Sequence, residues 1–177
     1  MSKERKVFMK PEIETERLII KLLTLSQLKL WASDISLLES ELDCKYAGEP
    51  IEGIFLKIIN KQIKIIENDP ENYRYHSFWF IIRKIDKKVI GSMAFKNSPN
   101  ELNEIEIGYG LGKKHEHKGY MTEAVKQLCK IAFIDEKIET IIAETDKGNI
   151  KSEKVLERCG FIKYKEEESM WWKLREK

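Results

Sequence analysis

The chain has 177 residues, 42% of them hydrophobic and 35% charged, which is typical of one globular domain large enough to bury a core. Its 32 basic and 30 acidic residues nearly cancel, so the sequence predicts no basic face for nucleic acid. No run approaches the ~18 apolar residues of a membrane span, and the N-terminus lacks a signal peptide, so we expect a cytoplasmic protein without a membrane partner.

Three cysteines, Cys44, Cys129 and Cys159, are odd in number and widely separated. None forms a C-x-x-C pair, so the pattern favours neither a disulfide framework nor a zinc knuckle. No repeat, low-complexity tract or Pro/Gly/Ser linker divides the chain. We therefore expect a single domain over residues 1–177, with residues 1–11 as a flexible N-terminal extension.

The first half of the chain predicts one strand and two helices. The stretch RLIIKLL, residues 17–23, is typical of a strand, and Thr24 or Ser26 is placed to cap a short helix after it. Isoleucines at near-helical spacing predict a longer helix over 52–68, which ends before Pro70.

The second half is richer in strand formers. Residues 77–84 and 89–96 predict an antiparallel hairpin, and residues 103–111 a third strand. The remaining predicted elements are a helix over 119–134, a strand over 138–145, a helix over 149–160 and two closing strands, FIKYK and SMWWKL. This order predicts a mixed α/β sheet with helices on its faces.

The stretch GYGLGKKHEHKGYMTEAVKQL, residues 108–128, places glycines between a predicted strand and a predicted helix. The first N–H groups of a helix have no intrahelical acceptor, and the helix dipole adds positive charge there, so this arrangement favours phosphate. Gly119 lets the backbone approach a ligand closely. The spacing matches neither the Rossmann nor the P-loop motif, so an ordinary helix cap is the local alternative.

Five blocks of the chain decide between these readings: TERLIIKLL, IGSMAFKN, EIEIGYGL, KGYMTEAVKQL and IIAETDKGNIKSEKVLERCGF. In order and spacing they resemble the GNAT acyltransferases over about residues 12–174, and most of all the ribosomal-protein-alanine (N-terminal) acetyltransferase branch. The resemblance implies an α/β (α+β) fold with a mixed, mostly antiparallel sheet of about six to seven strands flanked by helices. It also implies acetyl-CoA as cosubstrate, no metal, a monomer or homodimer, and direct acetyl transfer to a primary amine on a protein N-terminus or a small molecule.

In that family a loop reading Q/R-x-x-G-x-G/A holds the pyrophosphate of acetyl-CoA through its backbone amides. By this resemblance Glu116 replaces the usual Gln or Arg, His117 replaces the first glycine, and Gly119 is kept. His tolerates a positive φ better than most residues, so the cradle geometry is still expected. Glu116 is expected to point outward, with its charge offset by lysines at 113, 114 and 118.

The resemblance also assigns the site residues. The expected cofactor-binding residues are Gly108, Tyr109, Gly110, Leu111, His117, Lys118, Gly119, Tyr120, Met121, Thr122 and Asn149. The amides from Gly108 to Leu111 would contact the acyl carbonyl, and Asn149 the pantetheine arm. Glu106 is the expected general base, and Ser152 the group that faces the sulfur.

Each catalytic assignment has a local alternative. Glu104 and Glu106 share one face of a strand, so both are also typical of solvent-facing residues. Asn149 and Ser152 fit the N-cap and N3 positions of a helix for purely local reasons. A catalytically weak CoA-binding sensor or interaction module stays open as a second function, because Glu116 and His117 depart from the family's loop.

Several other side chains carry weaker hypotheses. His115 and His117 are spaced as a metal pair but lack a third ligand. His76 with Cys159 imitates a Cys–His pair, although Cys159 falls on the apolar side of its helix. The adjacent tryptophans at 171 and 172 are candidates for the acceptor groove, with at least one expected in the core.

Overall fold

The computed structural model describes residues 9–176, which hold both strands and helices. The strands are β1 Glu12–Glu14, β2 Leu18–Leu22, β3 Lys45–Tyr46, β4 Phe78–Arg83, β5 Lys88–Phe95, β6 Glu104–Leu111, β7 Thr140–Asp146, β8 Ile162–Glu166 and β9 Ser169–Arg175. The α-helices are α1 Leu25–Ser33, α2 Ile35–Leu42, α3 Gly53–Asn68, α4 Tyr120–Ala132 and α5 Ile150–Arg158. Short 3₁₀ turns cover Pro70–Tyr75 and Lys113–His115.

All of these strands form one sheet in the order β1-β2-β4-β5-β6-β7-β9-β8, with β3 beside β5. Only the β6–β7 and β3–β5 pairs are parallel, so the mixed, mostly antiparallel sheet is confirmed. The described residues hold nine strands rather than the six or seven expected. The additional strands include β1 and β3, which have 3 and 2 residues and are too short to show a period of two.

The sheet separates two hydrophobic clusters. Phe78, Phe80 and Ile82 of β4 pack with α1, α2 and α3, whereas Trp79 and Ile81 face the side of α4. This alternation buries β4 on both faces, which explains why its sequence is a continuous apolar run. Within the described residues no helix is both long and apolar enough to cross a bilayer.

In the N-terminal part, the structure decides between the two predicted helix caps and describes the end of the predicted extension. Thr24 caps α1, and with Gln27 it forms a complete capping box, so Thr24 rather than Ser26 is the cap. Met9 is buried at 3% exposure against the core. The predicted extension over residues 1–11 therefore lies mostly outside the described residues, and its described end packs against the domain.

The sheet parts between β6 and β7. The two strands pair only from Glu104 to Ile107 on β6, and β7 then continues on β9 while β6 continues on β5. Lys96 N–H donates to the Glu106 carbonyl, which sets the alternation of the β5–β6 ladder. Tyr109 and Leu111 therefore direct their N–H groups away from β5, into the gap.

Glu123 ties the start of α4 to the strands before it. Its carboxylate accepts hydrogen bonds from Thr15 Oγ1 at 2.6 Å, Arg17 N–H at 3.0 Å and Arg17 Nε at 2.7 Å. Burial opposes the charged form, but these hydrogen bonds prevail and hold the pKa of Glu123 below its usual range. Arg17 also donates to the Lys118 carbonyl at 2.9 Å, so this contact fixes the loop that precedes α4.

Glu123→Gln should lower the free energy of unfolding by about 2 kcal/mol, since it removes hydrogen bonds to a charged group. Because the pKa of Glu123 is lowered by folding, its contribution is present above the usual glutamate pKa of ~4.3 and lost as pH falls through the folded value. Urea unfolding at pH 7 and pH 3 measures both effects. The exposed Glu157→Gln is the control. An equal loss of unfolding free energy in both variants would contradict the stabilising role of the Glu123 hydrogen bonds.

Candidate active site

The gap between β6 and β7 opens into a cleft that passes through the sheet. One half, of about 440 Å³, lies on the side of α3, and the other, of about 510 Å³, lies between α4 and α5. The residues that line both halves are Glu49, Tyr109, Gly110, Asn149 and Ser152. A ligand in one half can therefore meet a ligand in the other at the parted strand.

The α4–α5 half is built around the N-terminus of α4. Gly119 adopts φ 79° as the N-cap, and no side chain caps the first amides of the helix. His117 lies at φ 61°, the left-handed conformation expected where the family prefers glycine. The cleft is lined by His117, Gly119, Tyr120, Met121 and Thr122, whereas Lys118 is exposed and not part of the lining. Uncapped helix amides and adjacent positive-φ residues make this half a site for an anion.

The position of Glu116 corrects two expectations. Its side chain is only 24% exposed and lines the cleft instead of pointing outward. Its charge is neutralised chiefly by a hydrogen-bonded ion pair with Lys151 of α5, which lowers the pKa of Glu116.

The first turn of α5 closes the other wall of the cleft. Asn149 is the N-cap, and its Oδ1 accepts a hydrogen bond from Ser152 N–H at 3.3 Å. Tyr109 Oη donates to the Ser152 carbonyl at 3.2 Å, and burial raises the pKa of Tyr109. The structure therefore brings Asn149 and Ser152 to the parted strand, where Gly108, Gly110 and Leu111 also line the cleft.

The two strand glutamates lie away from this meeting point. Glu106 Oε1 is 2.5 Å from Lys96 Nζ, and Lys96 rather than Glu106 lines the α3 half of the cleft. Glu104 accepts a hydrogen bond from Asn100 Nδ2 at 3.1 Å and lines neither half. Glu106 shares its strand face with Gly108, yet its carboxylate is engaged by a cation.

One carboxylate in the cleft was not anticipated. Glu49 lies in the loop between β3 and α3 and lines both halves. Its carboxylate lies so close to Gly110 that a Cβ there would overlap it. Burial, together with the charge of Glu116, raises the pKa of Glu49. The surrounding sequence AGEP has no periodicity or motif that marks it, because only tertiary contact brings this loop to β6.

The weaker histidine and cysteine hypotheses find no common site. His115 is buried while the His117 side chain is 76% exposed, and no group of three potential metal ligands occurs in residues 9–176. His76 shares a hydrogen bond with Ser98, so it is not paired with Cys159. Burial raises the pKa of Cys159 to about 11, which makes it an unreactive thiol.

The structure also shows where the adjacent tryptophans at 171 and 172 lie. Trp172 is in the core as expected for one of the pair, and its Nε1 donates to Thr145 Oγ1 at 3.0 Å. Neither Trp171 nor Trp172 lines the α3 half of the cleft. The aromatic side chains in that half are Phe55, Phe78, Phe95 and Tyr109.

Comparison with known proteins identifies this architecture. The family described as acetyltransferase (GNAT) domain matches residues 46–162. The N-acetyltransferase YjdG of Bacillus subtilis is 31% identical over 153 residues, which cover 80% of this chain and 89% of that protein. The ribosomal-protein-S5-alanine acetyltransferase from Vibrio fischeri superposes with a TM-score of 0.66 at 21% identity, covering 94% and 97% of the two chains. The RimL ribosomal α-N-protein acetyltransferase in complex with coenzyme A gives 0.65 at 14% identity, covering 93% and 97%.

Asn149→Ala should lower the free energy of unfolding by about 1 kcal/mol, because the first turn of α5 loses its side-chain cap. Urea unfolding measures the change. Asn60→Ala in exposed α3 is the control and should stay within about 0.5 kcal/mol of the parent. A loss no larger than that of the control would show that the hydrogen bond to Ser152 N–H adds nothing to stability.

Proposed function

The chain belongs to the GNAT acetyltransferase family, and we propose that it transfers an acetyl group from acetyl-CoA to a primary amine. The observation that carries this proposal is the cleft through the parted sheet. It joins an anion site at the N-terminus of α4 to a second half on the side of α3, and between them lie the N–H groups of Tyr109 and Leu111, which face away from β5.

The residues present suit acetyl-CoA as the acyl-donor substrate. The amides of residues 117–122 would hold the pyrophosphate, and Lys151, Lys154 and Arg158 add positive charge to the same half. The gap along residues 108–111 would take the pantetheine arm as an additional strand, with Asn149 beside it. The thioester supplies the activated acetyl group.

Acyl transfer needs a polarised carbonyl, a neutral amine and a stabilised leaving thiolate. The N–H groups of Tyr109 and Leu111 would polarise the carbonyl, and Ser152 lines both halves where the thiolate would leave. Glu106 is the base proposed from the sequence. To act, it must give up its ion pair with Lys96 or work through a water molecule.

We propose that the acceptor is a cationic amine, on a protein N-terminus or a small molecule. The α3 half carries the carboxylates of Glu49, Glu144 and Asp146 against one cation, Lys96, which favours a positively charged acceptor. The ribosomal-protein acetyltransferases among the structural neighbours favour a protein N-terminus.

A catalytically weak CoA-binding module is the second candidate, because ion pairs engage Glu116 in the cleft and Glu106 on β6 beside it. A screen of amines for thiol release from acetyl-CoA separates the two functions. Amine-dependent release supports the enzyme. CoA binding without release from any peptide, diamine or monoamine would favour the module.

Gly119→Val should weaken CoA binding at least tenfold, since a β-branched residue is strained at φ 79° and would turn the amides away. His117→Gly should bind CoA equally or better, because glycine adopts φ 61° without strain. Calorimetry on folded variants measures both. An unchanged dissociation constant for Gly119→Val would contradict binding of the pyrophosphate by the amides of residues 117–122. A large loss of CoA affinity for His117→Gly would show that the imidazole contacts the ligand.

Glu116→Gln should tighten CoA binding several-fold at low salt, because it removes a negative charge from the phosphate site and frees Lys151. The gain should shrink as salt screens the charges. Lys151→Gln is the opposing variant and should weaken binding. Equal affinities for Glu116→Gln and the parent at low salt would show that this ion pair does not compete with the ligand.

A further inference from the structure

Among the residues that line the cleft, Glu49 is the one carboxylate present in both halves. Glu144 and Asp146 line only the α3 half, and Glu116 only the α4–α5 half. Glu49 therefore lies where an amine entering from α3 would meet an acyl group held along β6.

The chain holds Glu49 at this point by local contacts. Tyr46 Oη donates to the Glu49 carbonyl at 2.6 Å, and Pro50 restricts the backbone of Glu49 to extended conformations. The absence of a side chain at Gly110 leaves the space that the carboxylate fills. Gly110 lies between Tyr109 and Leu111, whose N–H groups face the gap, so the carboxylate adjoins the position proposed for the reacting carbonyl.

The charges around Glu49 suit proton uptake. Glu106 and Glu116 are ion-paired with Lys96 and Lys151, whereas no cation lies within ion-pairing distance of Glu49 in residues 9–176. Its neighbours in the cleft instead include the negative charge of Glu116. A carboxylate without a cation partner is a better proton acceptor than one held in a salt bridge.

We propose that Glu49 is the general base that takes the proton from the acceptor ammonium. The inference rests on the proposed acetyl transfer, and it assigns to Glu49 the role that the sequence pattern gave to Glu106. Glu106 then acts as a positioning residue, which fixes Lys96 at the wall of the acceptor half.

The step balances as follows. The Glu49 carboxylate accepts one proton from the ammonium, and the neutral amine nitrogen forms a bond to the acetyl carbon. The carbon–sulfur bond breaks and its electron pair leaves with the sulfur. The second proton on nitrogen passes to that thiolate, which yields the amide and the free thiol, and Glu49 returns its proton to solvent.

The test compares Glu49→Gln with Glu106→Gln in amine-dependent thiol release from pH 6 to pH 9. Glu49→Gln should lower kcat/KM by roughly 10²-fold or more near neutral pH, the usual contribution of a general base. Higher pH should restore part of the loss, because the amine then deprotonates unaided. Glu106→Gln should lose less. Glu52→Gln, an exposed neighbour outside the cleft, should match the parent.

Two further measurements do not depend on turnover by a Glu49 variant. Gly110→Ala keeps the carboxylate but displaces it, and should reduce kcat more than it weakens CoA binding. Carbon-13 NMR of the glutamate carboxyls should show Glu49 titrating above the usual glutamate pKa of ~4.3, since burial and Glu116 raise the pKa of Glu49. In the parent, the acid limb of the rate profile should follow that titration.

The outcomes distinguish a failure of the role of Glu49 from a failure of the proposed acetyl transfer. Suppose that the parent protein turns over an amine. If Glu49→Gln then works at the parental rate across this pH range, or if Glu106→Gln loses more activity than Glu49→Gln, the role of Glu49 is overturned and acetyl transfer still stands. CoA binding by the parent without thiol release from any amine would overturn the proposed function and this role with it.

Discussion

The parting of β6 from β7 is the constraint on which the rest of the site depends. A continuous parallel ladder would consume the N–H groups of Tyr109 and Leu111 and would leave no passage between the two faces of the sheet. Since β7 pairs with β9 up to Asp146 while β6 stays on β5, both strands keep one satisfied edge where they separate. The open edges can then serve a ligand without unfolding the sheet.

Contacts at three points hold the walls of this opening. Glu123 and Arg17 fix the loop and the start of α4, and Tyr109 ties β6 to the first turn of α5. The loop that carries Glu49 is held by Tyr46. The first two sets of contacts join segments far apart in sequence, so the cleft is a property of the assembled domain rather than of any one motif.

The carboxylates in the cleft and beside it on β6 differ because of their partners. Glu106 and Glu116 each meet a lysine, and an ion pair keeps a carboxylate charged. Glu49 meets no cation in the described part of the chain and lies beside another negative charge. The same type of side chain therefore serves in ion pairs at Glu106 and Glu116 and is proposed for proton transfer at Glu49. These different roles depend on neighbours from β5, α5 and the β3–α3 loop.

The sequence by itself determined the longer elements, the cap Asn149 and the glycine-marked turn before α4, because each rests on periodicity or on a local hydrogen bond. Through its resemblance to the family, the sequence also predicted that residues 108–111 and the start of α5 belong to one site. Only the tertiary structure decided where β6 leaves β7, that Lys151 rather than nearby lysines neutralises Glu116, and that Glu49 enters the cleft. Strand partners, ion pairs and loop contacts join residues distant in sequence, and no local pattern encodes which of them will meet.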